Sequence, residues 1–368
     1  MNRKRMVWMA LGIGIGAGLF LLFAIQRATI PTEPTQEAQS ARIEAIFADA
    51  KATDEYELAV TLLDDIIAQH PTLSIAYAYR GRAYVQLDKL DLAQADAQTA
   101  LELDPENAIA YFVLARILSE TNNGQNTSRD AAAIIAHYTE AIRLNPNFAD
   151  AYYNRGLMYD YYVDDDLALV DYTDVIRIQP DYALAHYRTG VIYDTRGESD
   201  LALAAYTEAI RYHPHNFRFY QYRGVIYQSQ GDYALALADY NQALAIEAPN
   251  PWVNYQRGLV YDLLGETDLA NADFAEMLIY VPEFGHLRLT WGNNHLEDAE
   301  YAEAIAEFSA AIRVLPDFAD AYLARARVYV YQNQISDAET DLAMFIRLGG
   351  VLSDEDKLFF EDNGVALP

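Results

Sequence analysis

The first hydrophobic pattern along the chain is an apolar run near the N-terminus. Residues 6–25 contain no charged side chain, and about 20 helical residues span the ~30 Å core of a bilayer. Arg3, Lys4 and Arg5 precede the run, and the positive-inside rule places such a basic flank in the cytoplasm. The pattern predicts a transmembrane signal anchor over residues 6–25. The N-terminus is then cytoplasmic, and the rest of the chain is periplasmic or extracellular in a bacterial host.

A cleaved signal peptide is the alternative for the same residues. Its apolar stretch is usually about 7–15 residues long and is followed by a small-x-small cleavage site. Here the run is longer, and the stretch from Phe23 to Arg27 contains no such site. A secreted protein is therefore the second possibility for the localisation.

Small residues recur inside the apolar run, at Gly12, Gly14, Gly16 and Gly18. Glycines four residues apart let two membrane helices approach closely, which predicts a homodimer contact through this helix. The glycines and Ala17 also match the G-x-G-x-x-A dinucleotide fingerprint, but that fingerprint needs a strand before it and a helix after it. Neither is indicated by the sequence, so no cofactor is predicted.

From Ser40 onward, one pattern of small, aromatic and proline positions recurs with a period of 34 residues. Residues 26–39, before it, are polar, contain two prolines and predict a flexible linker. In the pattern, a glycine is followed by an aromatic ring three positions later and by an alanine twelve positions later. A second aromatic residue comes sixteen positions after the glycine, and a proline about twenty-four after it. The glycines are Gly156, Gly190, Gly224, Gly258 and Gly292, and the second aromatic residues are Tyr172, Tyr206, Tyr240, Phe274 and Phe308.

This pattern resembles the tetratricopeptide repeat (TPR) family, in which each unit of about 34 residues is a pair of antiparallel helices. The resemblance covers residues 40–352 and implies an all-α fold, a right-handed superhelical solenoid of about nine helix-turn-helix repeats. Glycine and alanine are expected where the helix backbones pack closest, and aromatic residues in the wider gaps. Neighbouring repeats stack because none buries its apolar face alone. We number the repeats 1 to 9, at residues 40–73, 74–107, 108–148, 149–182, 183–216, 217–250, 251–284, 285–318 and 319–352.

The last repeat leaves an open apolar face that needs a cap. Residues 353–368 begin with Ser353, a favourable N-cap residue. Leu358, Phe359 and Phe360 follow, and we expect these three side chains to cover the open face.

The charge and the motifs of the chain exclude several classes of function. The chain has 54 acidic and 26 basic side chains, with a net charge of −28, which disfavours nucleic acid because phosphates attract Lys and Arg. It contains no cysteine, so disulfides, cysteine-based zinc sites and thiol nucleophiles are excluded. No hydrolase, metalloprotease or P-loop motif occurs. The predicted protein is therefore not an enzyme and holds no cofactor or metal. His295, at a position otherwise held by tyrosine, is predicted to be a core aromatic substitute.

The resemblance supplies the candidate site. In TPR proteins, positions 2, 5, 9 and 12 of the first helix in each repeat share one face and line a concave groove. Aromatic residues are favoured interface anchors, and aspartates attract cationic segments; the alternative is that the tyrosines only pack against neighbouring helices. The candidate partner-binding residues are Tyr153, Leu157, Asp160, Tyr187, Asp194, Gln221, Gln228, Trp252, Tyr255 and Asp262.

The leading functional hypothesis is a membrane-anchored protein–protein interaction scaffold. Its partner would be a protein or peptide with a basic or apolar segment, in an envelope or secretion-related assembly. The alternative is a ligand-binding module whose acidic groove holds a cationic peptide or a polyamine.

Overall fold

The computed structural model describes residues 35–121 and 128–368. In this part of the chain every regular element is an α-helix, and one compact unit ends at Asp171 while a second begins at Tyr172. The helices are α1 Gln36–Thr53, α2 Tyr56–Gln69, α3 Ser74–Gln86, α4 Leu90–Leu103, α5 Ala108–Thr121, α6 Ser128–Leu144, α7 Ala149–Tyr162, α8 Asp165–Ile178, α9 Ala183–Thr195, α10 Ser199–Tyr212, α11 Phe217–Gln230, α12 Tyr233–Ile246, α13 Pro251–Leu263, α14 Thr267–Tyr280, α15 Phe284–Glu297, α16 Tyr301–Val314, α17 Ala319–Tyr331, α18 Ile335–Arg347 and α19 Asp354–Asp362.

Two helices fall within each of the nine repeats, from α1 and α2 in repeat 1 to α17 and α18 in repeat 9. The all-helical repeat architecture expected from the sequence is thereby confirmed. The predicted membrane helix at residues 6–25 lies outside the described residues. Within the described ranges, no helix combines the length and the apolar character that crossing a bilayer requires.

The first helix begins earlier than the sequence pattern indicates. The Thr35 side chain accepts a hydrogen bond from the Ala38 backbone N–H at 3.3 Å and caps the helix that starts at Gln36. The residues at 36–39, assigned to the linker, are therefore helical. They add one turn to the first helix of repeat 1, on the N-terminal side of Ser40.

The glycine at position 8 of a repeat lies against the aromatic ring at position 24 of the same repeat. A Cβ atom at Gly190 would lie 2.7 Å from the ring of Tyr206, and one at Gly258 would lie 2.7 Å from the ring of Phe274. Both rings are buried. In these repeats the ring, and not a contact between two helix backbones, is what excludes a side chain at the glycine.

In repeat 2, the glycine does lie close to the backbone of the other helix, as the sequence pattern predicts. It carries Ala97 at position 24, so no ring separates its two helices. A Cβ atom at Gly81 would then meet the Ala93 carbonyl oxygen at 3.2 Å. The size of the residue at position 24 thus decides which group faces the glycine.

Five repeats contain the same buried ion pair, which we call the arginine–aspartate clamp. In repeat 6, Nε and Nη2 of Arg223 donate to the two carboxylate oxygens of Asp239, each at 2.8 Å. The third nitrogen, Nη1, donates to Thr207 Oγ1 at 3.1 Å, in the second helix of the preceding repeat. One guanidinium therefore joins three helices. The clamp pairs are Arg80–Asp96, Arg155–Asp171, Arg223–Asp239, Arg257–Asp273 and Arg325–Asp341.

Aromatic rings enclose the clamp arginine from both sides along its own helix. The Arg223 guanidinium carbon lies 5.9 Å from the ring centroid of Tyr220 and 5.8 Å from that of Tyr227. Arg325 lies in the same way between Tyr322 and Tyr329. A cation over an aromatic face is stabilised by the ring quadrupole, so the tyrosines favour the charged guanidinium in a site with little access to water.

The C-terminal segment packs on repeat 9. Ser353 and Asp356 form a capping box at the start of α19, and Arg327 of repeat 9 donates to Asp356. Phe360 is fully buried in the core of repeat 9, and Phe359 packs against the same cluster. Leu358 is 60% exposed, so the expectation that it covers the open face is wrong. It lies one and two residues before the two phenylalanines and projects from another side of α19.

His295 is not a core aromatic residue. Its side chain is 36% exposed, and its Nδ1 lies 2.7 Å from Glu300 Oε2. The hydrogen bond to Glu300 raises the pKa of His295. An imidazole, unlike a phenol, can gain a positive charge near neutral pH, and the carboxylate at the start of the next helix holds it at the surface.

The contact between glycine and ring yields a stability prediction. Gly190→Ala in an exposed helix would normally stabilise by about 0.5–1 kcal/mol, because alanine has the higher helix propensity. Here the added methyl group meets the Tyr206 ring, and we expect a net loss of about 1–3 kcal/mol. Thermal unfolding followed by circular dichroism measures the change. A higher midpoint for Gly190→Ala would show that the ring contact does not constrain this position.

The clamp yields a second prediction, from a double-mutant cycle. Arg223→Met and Asp239→Leu, made singly, each leave one charge buried without its partner, and each should lower stability by about 3 kcal/mol. The double variant removes both charges and should be more stable than either single variant. Arg143→Met, which removes an exposed arginine paired with Glu140, is the control and should change stability little. Additive losses in the double variant would contradict this account.

Candidate partner-binding site

The predicted site residues fall on the first helices of repeats 4 to 7. In the compact unit that ends at Asp171, Tyr153, Leu157 and Asp160 lie on α7 and are partly buried. In the unit that begins at Tyr172, the remaining candidates lie on α9, α11 and α13. We call positions 2, 5, 9 and 12 of these three helices the first-helix surface.

Tyr187 belongs to the core and not to an open surface. It is 8% exposed, and its ring lies 5.2 Å from Phe219 and 5.5 Å from Tyr222, centroid to centroid. Burial, together with the neighbouring Tyr222, raises the pKa of the Tyr187 hydroxyl. The side chain at position 5 thus fills the gap between one first helix and the next.

Tyr255 occupies the corresponding place in repeat 7. It is 7% exposed, and its ring centroid lies 4.9 Å from that of Phe284. The guanidinium of Arg288 approaches the same ring at 5.6 Å. For Tyr187 and Tyr255, therefore, packing against neighbouring helices explains the tyrosine, and neither presents contact area to a partner.

The residue at position 12 lies near the ring at position 24 of its own repeat. In repeat 6, the Tyr240 hydroxyl donates to Gln228 Oε1 at 2.7 Å. In repeat 5, burial and the Asp194 carboxylate both raise the pKa of the Tyr206 hydroxyl. The polar side chain at position 12 is thus a neighbour of the hydroxyl of the buried ring.

Repeat 7 carries Phe274, which has no hydroxyl, at position 24, and its position-12 residue pairs with a different group. Asp262 Oδ2 forms an ion pair with Arg313 Nε at 2.8 Å, and both side chains are about two-fifths exposed. This aspartate therefore has an internal cation.

Trp252 is the accessible aromatic residue among the candidates. Its side chain is 41% exposed at the start of α13, while Gln221 on α11 is partly buried. The groups that the first-helix surface offers are thus one indole and the polar side chains Asp194, Gln228 and Asp262.

A second surface was missed by the sequence analysis. Leucine occupies position 19, at the start of the second helix, in six repeats, and each is between 44% and 50% exposed. We call these residues the leucine row. The repeated leucine directly before the buried alanine at position 20 is visible in the sequence and could have indicated it. The row comprises Leu58, Leu92 and Leu167 in the first compact unit, and Leu201, Leu235 and Leu269 in the second.

A cavity of about 480 Å³ lies in the first compact unit, between α1 and the turns before α3 and α5. Its buried polar groups are already paired. Asn107 Nδ2 donates to Ser74 Oγ at 2.7 Å, and Ser74 Oγ donates to the Ala100 carbonyl at 2.8 Å. Over the described ranges, no group of three or more metal-ligating side chains is placed to hold an ion.

Family comparison agrees with this architecture. Models described as "Tetratricopeptide repeat" match residues 79–126, 187–251 and 289–349, and one described as "TPR repeat" matches residues 133–159. Together these matches cover more than half of the chain. The chain belongs to the tetratricopeptide repeat family.

Individual relatives are similar over part of the chain only. The DnaJ protein P58IPK homolog of Arabidopsis thaliana is 32% identical over 97 residues, which are 25% of this chain and 20% of that protein. Superkiller complex protein 3 of Mus musculus is 29% identical over 109 residues, which are 29% of this chain and 7% of that protein. The matches therefore span a fifth or less of these relatives' length.

Among solved structures, that of pilF from Pseudomonas aeruginosa is similar with a TM-score of 0.50 and 16% sequence identity. The likeness covers 57% of this chain and 92% of that chain. It shows the shared helical-repeat fold.

Proposed function

We propose that this chain is a membrane-anchored scaffold that binds a segment of another protein along the first-helix surface of repeats 5 to 7. TPR proteins bind protein or peptide partners, which supports a scaffold over an enzyme. The observation that carries the proposal is the series of polar side chains at position 12 of three successive repeats, Asp194, Gln228 and Asp262. The exposed indole of Trp252 belongs to the same surface.

The chemistry of this surface favours a basic segment with an apolar anchor. The chain carries a net charge of −28, which speeds the approach of cationic segments and repels anionic ones. Exposed ion pairs contribute only about 0.2–1 kcal/mol each. Tryptophan, in contrast, is enriched among the residues that dominate interface affinity. Trp252 should therefore supply more of the binding free energy than any single aspartate.

Residues 6–25 supply the proposed membrane attachment. A single uncleaved helix with the basic flank of Arg3, Lys4 and Arg5 would place the repeats outside the cytoplasm. In that compartment the scaffold would organise an envelope or secretion-related assembly. The glycines of the same helix would allow two copies to pair within the bilayer.

A module for a small cationic ligand, such as a polyamine or a short peptide, is the second candidate. The partly exposed carboxylates of Asp194 and Asp262 favour it. The two candidates differ in the role of Trp252, because a polyamine has no apolar anchor to place on an indole. Loss of binding on neutralising the aspartates, with no effect of Trp252→Ala, would identify the second candidate.

The scaffold proposal predicts that Trp252→Ala weakens partner binding at least about tenfold. Co-purification of the full chain from its host membranes, followed by mass spectrometry, supplies the partner, and isothermal titration calorimetry then compares the variants. Trp291→Ala is the matched control, because Trp291 is also a first-helix tryptophan, 43% exposed, in repeat 8. Leu235→Ser tests the leucine row. If Leu235→Ser abolishes binding while Trp252→Ala binds like the wild type, the partner uses the second helices instead.

The membrane proposal predicts the orientation of the C-terminus. Alkaline phosphatase fused after Pro368 in a bacterial host should be active, because this enzyme needs an oxidising compartment for its disulfides. A reporter that is active only in the cytoplasm, fused at the same site, should be inactive. The reverse result would refute the orientation. Recovery of peptides from residues 1–5 in the membrane fraction would show that the anchor is retained.

A further inference from the structure

Repeats 5, 6 and 7 present three versions of one polar contact. In repeat 6, the position-24 hydroxyl of Tyr240 donates to position 12, at Gln228 Oε1. In repeat 7, position 24 has no hydroxyl, and the position-12 carboxylate of Asp262 forms an ion pair with the guanidinium of Arg313. An acceptor at position 12 therefore serves either the tyrosine below it or a cation beside it.

Repeat 5 combines a tyrosine at position 24 with an aspartate at position 12, and neither group has a partner. Tyr206 is fully buried, and its hydroxyl makes no hydrogen bond with any described residue. Asp194 is partly exposed. Its carboxylate forms no hydrogen bond or ion pair within residues 35–121 and 128–368.

The two unpaired groups occupy positions 12 and 24 of repeat 5, the positions at which Gln228 and Tyr240 are hydrogen-bonded in repeat 6. The Asp194 carboxylate, after burial itself, is the largest influence that raises the pKa of the Tyr206 hydroxyl. Burial also raises the pKa of Asp194. A buried hydroxyl without a partner and a desolvated carboxylate without a counter-charge are both unfavourable. Repeat 5 thus holds an incomplete site that a donor from outside would complete.

We propose that Asp194 is the receptor for an arginine side chain of the partner, and that Tyr206 is the positioning residue that orients it. One Asp194 oxygen accepts from the Tyr206 hydroxyl, as Gln228 does from Tyr240. The other oxygen forms an ion pair with the partner's guanidinium, as Asp262 does with Arg313. A carboxylate has enough lone pairs for both bonds.

The aromatic surroundings suit a planar cation. The ring of Tyr222, which is partly exposed, lies 6.0 Å from the Tyr206 ring, centroid to centroid. A guanidinium stacks on such faces and presents several N–H donors in a fixed plane. An ammonium group is more strongly hydrated and donates without a fixed plane. The site should therefore prefer arginine to lysine. This assignment rests on the proposed use of the first-helix surface by a basic segment.

The test uses the full chain in detergent and three synthetic peptides of equal length. Their sequences are acetyl-(Ala-Arg)₄-amide and its lysine and citrulline counterparts, and spermine is a fourth ligand. Citrulline keeps the shape of arginine but carries no charge. Wild-type protein should bind the arginine peptide at least about tenfold more tightly than the citrulline peptide, and more tightly than the lysine peptide. Asp194→Asn should remove most of that preference.

Asp200→Asn is the matched control, because it makes the same charge change in the same repeat at an exposed aspartate outside the first-helix surface. It should keep the preference for arginine. If Asp194→Asn and Asp200→Asn reduce binding equally, the effect is long-range charge and the proposed receptor is wrong. Absence of an arginine preference in the wild type also overturns the proposal. Equal binding of spermine and the arginine peptide would do so as well, and would favour a polyamine site.

Tyr206→Phe separates a positioning role from a structural one. Because the hydroxyl is unpaired in the free protein, removing it should not lower the unfolding midpoint, whereas Tyr240→Phe loses the bond to Gln228 and should lower it. Affinity for the arginine peptide should still fall several-fold in Tyr206→Phe. Destabilisation of Tyr206→Phe equal to that of Tyr240→Phe would show that the hydroxyl already has a partner. Loss of binding in Trp252→Ala with no effect of Asp194→Asn would leave the proposed surface standing and reject only this receptor.

Discussion

The arginine–aspartate clamp is the polar interaction that joins a repeat to the one before it in five of the repeats that the structure describes. A single helix pair cannot bury its apolar face, so each repeat must be joined to the one before it. Arg223 makes that junction through three nitrogens, two on Asp239 in its own repeat and one on Thr207 in the preceding one. A guanidinium is suited to this place because its donors lie in a fixed plane. Leucine at the same position would give apolar contact but no directional bonds. The clamp therefore fixes which helices meet and how they are oriented, whereas the apolar core contributes most of the burial.

The glycine and the ring beneath it decide where polar groups reach the surface. Because Gly224 leaves room for the Tyr240 ring close to the first helix, the hydroxyl reaches position 12 of that helix. The acceptor found there, Gln228, is also a member of the first-helix surface. Core packing and the chemistry of the candidate site are thus coupled through one side chain. A change from tyrosine to phenylalanine at position 24 frees position 12 for another partner, as Asp262 shows with Arg313.

Periodicity alone predicts the architecture, because glycine, aromatic and proline positions each have one local role in a helix pair. It does not predict which side chains of different helices contact one another. The arginines at position 7 are visible in the sequence, but their aspartates lie sixteen residues on, and the spacing matters only once the two helices are antiparallel. Tyr187 and Tyr255 fail as surface residues for the same reason. Position 5 shares a helix face with position 12, yet the next first helix covers it, at Phe219 in one case and Phe284 in the other.

Repeat 5 differs from its neighbours in a way that connects stability to binding. It has Thr189 and Ala205 where a clamp would place arginine and aspartate, and the Thr189 hydroxyl is buried without a hydrogen-bond partner in the described chain. The Tyr206 hydroxyl of the same repeat is also unpaired. Repeat 5 therefore lacks the clamp that repeats 4, 6 and 7 have. A ligand that binds only the folded state raises stability by an amount that increases with its affinity and concentration. A partner that completes the Asp194 site would consequently stabilise a repeat that has no clamp. Binding of the partner and the stability of repeat 5 would then be coupled, because the partner would complete a polar contact that Tyr206 and Asp194 lack in the free protein.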